Sequence, residues 1–397
     1  MDWPVVLTKS KKKMKVKNLF NISLIMLCIA CGTATNEKTE IKVTEMPITH
    51  KFLLGTYTNS PEQGIHLMEF DPEAGEIKIL SSAPDPDNPS FVIANKALNR
   101  VYTVEETGGE EGGKVSAFSF KDGKLKKLNT VSAEGKSPCY ITMDPSEGFV
   151  IAANYSSGDF SVIPVAEDGQ LKAAAQVITH KGSGLLPNRQ KQPHVHSAIF
   201  HPKDGNLFIA DLGTDEVDVY DFDNSKEEPL NPEPIFRLHV APGAGPRHMV
   251  FNVAGDRLYL IHEISAEVGV YAYNDEGLKH LSTHKLTEEN FEGKVGAAEV
   301  RLSPDEKFLY ASNRGEANEL ICFKIIDKGD LVHVQTISSG GKAPRNFNIT
   351  LDGKYLLAAN QDSNTIVAFK RDMETGILES TDIQTDIYKP VYINFLP

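Results

Sequence analysis

A phrase of about fifty residues returns seven times along this chain, and no other feature restricts its fold as strongly. The clearest copies are PRHMVFNVAGDRLYLIHEISAEVGVYAY from Pro246, AAEVRLSPDEKFLYASNRGEANELICFKI from Ala297 and PRNFNITLDGKYLLAANQDSNTIVAFKR from Pro344. Fainter copies begin at Pro89, Pro138 and Val195. Each reads as a strand, a turn of the D-G or P-D kind, a second strand ending in a polar residue, and two further strands. One such sheet cannot bury both of its faces, so repeats of this length stack radially as the blades of a propeller.

The seventh copy is divided between the two ends. PVYINFLP (Pro390–Pro397) matches only a first strand, while KFLLGTYT (Lys51–Thr58), GIHLMEF (Gly64–Phe70) and EIKILSSA (Glu76–Ala83) supply the other three. The C-terminal strand is expected to join the N-terminal three, closing the ring and hiding two sheet edges. An open solenoid or a pair of packed sandwiches has no need of such a division. The expected fold is an all-β, seven-bladed β-propeller of four-stranded antiparallel blades over residues 50–397.

Residues 1–30 stand outside that pattern. Lys11, Lys12, Lys13, Lys15 and Lys17 precede an apolar stretch, Leu19 to Ala30, that is short for a membrane span. Met14 makes a better start than Met1, because the basic residues after it already form an ordinary leader. The run ends Cys28-Ile29-Ala30-Cys31-Gly32 and resembles a bacterial lipoprotein cleavage site, with Cys31 as the acylated residue and Cys28 where leucine is usual. An uncleaved anchor helix is the alternative. Residues 31–49 would then be a polar tether, and the domain would lie in the cell envelope, periplasmic or on the outer membrane, touching membrane only through its lipid.

Without residues 1–30, which hold six Lys and one Asp, the remainder has 41 − 6 = 35 basic and 54 − 1 = 53 acidic residues, a net −18. So acidic a body is unsuited to nucleic acid, which is bound through Lys and Arg contacts to phosphates. Only Cys139 and Cys322 remain in the repeats, in different copies, so no disulfide framework is implied.

Stacking the repeats exposes two rings of equivalent positions. The polar residue ending the second strand is Thr56, Glu105, Asn154, Asp211, His262, Asn313 and Asn360 in turn. For most of these the plain reading is a strand-end clamp onto the neighbouring blade's backbone. The next position varies: Tyr57, Glu106, Tyr155, Leu212, Glu263, Arg314 and Gln361. Variation at one geometric place is how a pseudo-symmetric ring makes an asymmetric site, and Glu263 and Arg314 stand out. At the head of the first strand lie Ser90, Cys139, His196, Arg247, Ala298, Arg345 and Val391. Arginine offers a rigid fork matched to carboxylate or phosphate, so Arg247, Arg314 and Arg345 converging on the axis would form an anion pocket. The alternative is that each arginine pairs with a local acid and staples two blades.

His194-Val195-His196 places two imidazoles on one strand face. With His248 or Glu263 they could bind zinc, but H-x-H without a third ligand at a familiar spacing is a weak signal, and neither metal nor cofactor is called for. One histidine as general acid or base with the other beside it is the preferred reading. The preceding segment, His180 to Pro193, is the longest insertion and can cover the pocket mouth or be ordinary surface.

Together QPHVHSAIFHP, GPRHMVF with the later LIHE, YASNRG and GKAPRNFNIT…GKYLLAANQDSN resemble the lactonase family of seven-bladed propellers, which includes a bacterial 6-phosphogluconolactonase type and a fungal carboxymuconate cyclase. The resemblance runs from about Phe52 to the C-terminus and implies lactone chemistry. By the same resemblance His196, Arg247, Glu263 and Arg314 would be catalytic. Of the residues beside them and in the two rings, His194, His248, Asn313, Arg345, Asn154 and Gln361 are the candidate substrate contacts. Glu263 or His196 would activate water and the other protonate the leaving alkoxide, with arginines on the anion. No G-x-S-x-G elbow is present, so an acyl-serine is not expected. 6-Phosphogluconolactone is cytoplasmic whereas the leader implies export, so a related aldonolactone is equally in view. A non-catalytic binding module and a lactone-forming cycloisomerase are the two other readings.

Overall fold

The computed structural model describes residues 48–60 and 63–397. The expected leader, the acylation site at Cys31 and almost all of the tether lie outside the described residues. The rest is the expected ring of sheets: seven antiparallel sheets of four strands each, with one short helical turn at Asp327–Gly329.

The blade that begins the copy at Pro246 shows the pattern. Its strands are Pro246–Phe251, Arg257–His262, Glu267–Asn274 and Gly277–Lys285, paired in chain order. The second strand is packed on both faces, which is why it reads as the unbroken apolar run Leu258 to Ile261. The fourth strand lies at the rim, where only Leu278 is buried and the other positions are half-buried or exposed. The core is therefore distributed between blades. Tyr259, Ile261, Val268 and Val270 of this blade meet Val300, Leu309, Ala311 and Ile321 of the next.

Neighbouring blades are also tied by a repeated hydrogen bond. Second-strand tyrosines reach the turn between the third and fourth strands of the following blade: Tyr102 to the Gly169 carbonyl (3.1 Å), Tyr259 to Gly329 (2.9 Å) and Tyr310 to Gly376 (2.7 Å). Each phenol is buried and would otherwise be unsatisfied.

The ring closes as its divided copy demands. Pro390–Phe395 is the innermost strand of the sheet formed with His50–Thr56, Ile65–Asp71 and Glu76–Ala83. Phe52 pairs with Phe395 and Leu54 with Ile393, and both join a buried cluster with Leu357, Ala359 and Ile366 of the preceding blade.

Candidate active site

All seven second strands end at the residues of the first ring: Thr56, Glu105, Asn154, Asp211, His262, Asn313 and Asn360. The residue after each donates its amide to the carbonyl just ahead of the first strand. The pairs are Tyr57–Lys389, Glu106–Asn88, Tyr155–Ser137, Leu212–His194, Glu263–Gly245, Arg314–Gly296 and Gln361–Ala343, at 2.7 to 3.1 Å. One bond repeated seven times thus sets seven variable side chains at the same height around the axis. The turn it closes is tight: Gly245 has φ +69, and a Cβ there would meet Ile264 at 2.7 Å.

The first-strand ring is built by a different device. In six of the seven blades the pairing of first with second strand slips at the second residue of the first strand. Val195 pairs with Asp211 and Ser197 with Ala210, leaving His196 unpaired between them. Arg247 and Arg345 sit in the same irregularity. A bulge of this kind re-aims the side chain it frees.

The two rings meet at Glu263. Its Oε2 receives Arg247 Nε (3.0 Å) and Arg314 Nη2 (2.8 Å), and His196 Nε2 lies 3.8 Å away. Its Oε1 receives Arg189 Nη2 from the long insertion. Arg247 also donates to the Ala298 carbonyl and to His248 Nε2 (3.2 Å), and Arg314 Nε donates to the Gly296 carbonyl (2.9 Å). The four residues carried over from the family resemblance therefore stand in one cluster.

Burial opposes ionisation of Glu263, but Arg314, Arg247, His196 and Arg189 together outweigh it and hold the carboxyl well below the usual range. Burial and Arg247 push His196 well below 6.5, so its ring is neutral at neutral pH. Arg247 falls to about 10 through burial and the nearby Arg314 and Arg345, and still carries its charge. Cys139 Sγ is 3.7 Å from His196 Nδ1, a spacing that suggests a thiol nucleophile and its base. Burial pushes that thiol up, however, and the sulfur is directed at the His196 carbonyl (3.5 Å), so it is no thiolate.

Three other expected contacts border the cluster. His194 stacks on Tyr155 at 4.5 Å and turns Nδ1 to the Tyr155 carbonyl (2.8 Å), while His196 meets the edge of the same ring. His248 lies beneath Arg247, with Nδ1 3.3 Å from Glu299, whose other oxygen accepts from Asn346. Arg345 lies over the Tyr57 ring (5.5 Å) and 4.0 Å from Glu106, which also accepts from the Tyr57 hydroxyl (2.9 Å). Among the described residues no three His, Cys, Asp or Glu side chains are grouped as metal ligands.

The remaining three are not brought together with Glu263. Asn154 donates to the Ala133 carbonyl (3.1 Å) and to Asp159 (2.6 Å), and Asn313 accepts from the Gly296 amide (3.0 Å). Both are fully buried strand-end clamps, the role expected for most of their ring. Gln361 turns its amide outward to Asp362 (3.1 Å). Conversely, Arg189, Tyr155, Tyr57, Glu106 and Glu299 were not singled out as site residues in the sequence. Three of these occupy the variable ring and were open to that comparison. Arg189 lies in an insertion with no counterpart in the other repeats.

Comparison with known proteins adds three findings. Residues 51–395 match the family model described as Lactonase, 7-bladed beta-propeller. The chain is 34% identical to a 6-phosphogluconolactonase of Formosa agariphila over 82% of this chain and 94% of that protein. It is 31% identical to a 6-phosphogluconolactonase of Bacillus subtilis over 86% of this chain and 97% of that one. Among solved structures, the periplasmic gluconolactonase of Pseudomonas aeruginosa superposes with a TM-score of 0.83 at 33% identity, covering 88% of this chain and 99% of that one.

Proposed function

This chain belongs to the lactonase family of seven-bladed β-propellers, and we propose that it hydrolyses an aldonolactone, 6-phosphogluconolactone or a related sugar lactone, at the cluster around Glu263. The observation that carries this reading is one buried carboxylate shared by Arg247 and Arg314, with an uncharged imidazole 3.8 Å away. Lactone opening needs a base for water, a cationic cradle for the tetrahedral oxyanion, and a proton for the departing alkoxide. In our reading His196 is the base, because it enters uncharged and Glu263 is too weak a base at its depressed value. Water oxygen bonds to the carbonyl carbon as its proton passes to His196, and Glu263 balances the imidazolium that forms. Arg247 and Arg314 hold the oxyanion. Its collapse breaks the ring C–O bond, and the imidazolium returns its proton to the alkoxide, giving the open hydroxy acid.

The basic leader followed by Cys31, and the periplasmic relative of Pseudomonas aeruginosa, support a location in the cell envelope with the lipid at Cys31 as the membrane contact. The test is acid release from 6-phosphogluconolactone and from gluconolactone by purified protein and by its Arg314→Ala variant. Turnover above the spontaneous rate, lost by orders of magnitude in the variant, sustains the proposal. Near-normal turnover in the variant removes Arg314 from the site, and no turnover in either form favours a binding module.

A further inference from the structure

The link from Gln176–Thr179 to Val195–Phe200 is the longest connection between an outer strand and the next inner strand; its counterparts include Ser132 to Pro138, His239 to Pro246 and Ser338 to Pro344. It is pinned beside the site and reaches Glu263 through Arg189. Gln190 is fully buried, and its amide donates to the Leu212 carbonyl (2.9 Å) and to Asp215 Oδ1 (2.7 Å). Asp215 in turn accepts from the Gly243 (2.7 Å) and Gly245 (2.8 Å) amides, on the segment that leads into Arg247. The insertion is thus tied to the backbone that carries the site, and Arg189, next to Gln190, is the side chain it sends inward.

The arginines on Glu263 are not equivalent. The Arg189 side chain is 42% exposed, against 17% for Arg314 and 1% for Arg247. An incoming solute therefore meets Arg189 first. Its departure from Oε1 still leaves Glu263 with two guanidinium partners on Oε2, so the carboxylate is not stranded.

The charge at the mouth is also unbalanced. Arg189, Arg247, Arg314 and Arg345 supply four positive charges, Glu263 and Glu106 supply two negative ones, and His196 is neutral. Beneath them His248 is neutral, and Glu299 is offset by Arg301. An excess of two positive charges, in a chain of net charge −13, suits a dianion, and a phosphate monoester carries about −1.5 to −2 at neutral pH.

We propose that Arg189 is the specificity residue of this site, exchanging Glu263 for a phosphate group at the far end of the sugar lactone, so that the phosphorylated substrate is preferred. For the reaction this rests on the lactonase reading; for the binding it does not. The experiment therefore has two arms. Arg189→Ala and Arg189→Lys are assayed with 6-phosphogluconolactone and gluconolactone, and calorimetry measures 6-phosphogluconate and gluconate binding, which needs no turnover.

In Arg189→Ala the kcat/KM preference for the phosphorylated lactone is expected to fall about ten- to a hundredfold, chiefly through KM, the range for losing a hydrogen bond to a charged group. Affinity for 6-phosphogluconate should fall by a similar factor, gluconate affinity should not follow it, and Arg189→Lys should retain part of the preference. Equal losses on both lactones, or an intact preference, would overturn the proposal. If wild-type protein opens neither lactone, the binding arm decides alone. A preference for 6-phosphogluconate that depends on Arg189 then sustains the proposal, and its absence sinks it.

Discussion

Glu263 and His196 illustrate how one environment drives two side chains apart. Burial disfavours charge on both, yet Arg314, Arg247 and Arg189 keep the glutamate ionised, while Arg247 adds to the burial that keeps the histidine neutral. If His196 must be uncharged to accept a proton, the rate falls as pH drops through its folded value, which lies below 6.5. Replacing Arg247 by Gln removes a cation that disfavours the imidazolium, so the acid limb of the His196 titration should move to higher pH. An NMR titration of labelled histidines reads this even if the variant is inactive; an unmoved resonance would separate Arg247 from His196. Replacing Glu263 by Gln takes away the carboxylate shared by three arginines, and turnover should fall by about two or more orders of magnitude. Much of the cluster was readable because the repeats supply an internal ruler: Arg247, Glu263 and Arg314 break a pattern that the other copies define. Arg189 was not, since an insertion has no equivalent position to be compared with. Asn154 and Asn313 show the opposite error, where a polar residue beside the site is spent on backbone.

Among the elements, the bulged first strand and the amide–carbonyl bond that follows each second strand do most to position these groups. The sequence announces the second strands as unbroken apolar runs, and the D-G and P-D turns before them, because burial on both faces leaves no alternation to confuse the reading. The slip at the second residue of the first strand leaves no such mark, because it is a matter of pairing between strands rather than of composition. The tyrosine ties offer a direct test. Tyr259→Phe leaves the Gly329 carbonyl without its phenol at 2.9 Å, and should cost about 1 kcal/mol by chemical denaturation. An unchanged midpoint would mean that the bond is matched by water in the unfolded and variant states alike. Deleting Pro390–Pro397 should do far more. It strips the partner from His50–Thr56 and uncovers Phe52 and Leu54, so the variant is expected to aggregate rather than to lose activity with its fold intact.

For the molecule as a whole, acid should be the weak direction. Burial lowers His66, His248 and His262 to about 4, and His262 has no hydrogen-bond partner on either ring nitrogen among the described residues. An unfolded chain takes up those protons near 6.5 and the folded one only near 4, so stability is present in full above about 6.5 and declines as pH falls toward 4. A loss on the order of several kcal/mol follows from about 1.4 kcal/mol per unit for each group. Thermal midpoints at pH 7.5 and 4.5 measure it, and His262→Leu should flatten the slope; a midpoint that does not move between those values would refute the account. The closing strand has a further consequence, in the order of events during synthesis. Phe52 is made early and Phe395 last, yet they share a register. The first blade must wait with an open edge until Pro390–Phe395 has been made. Joining chain segments so far apart is also a slow, high-contact-order step. Until then the edge of His50–Thr56 is unpaired and the ring stays open, while the six other blades, each built from consecutive strands, are free to form.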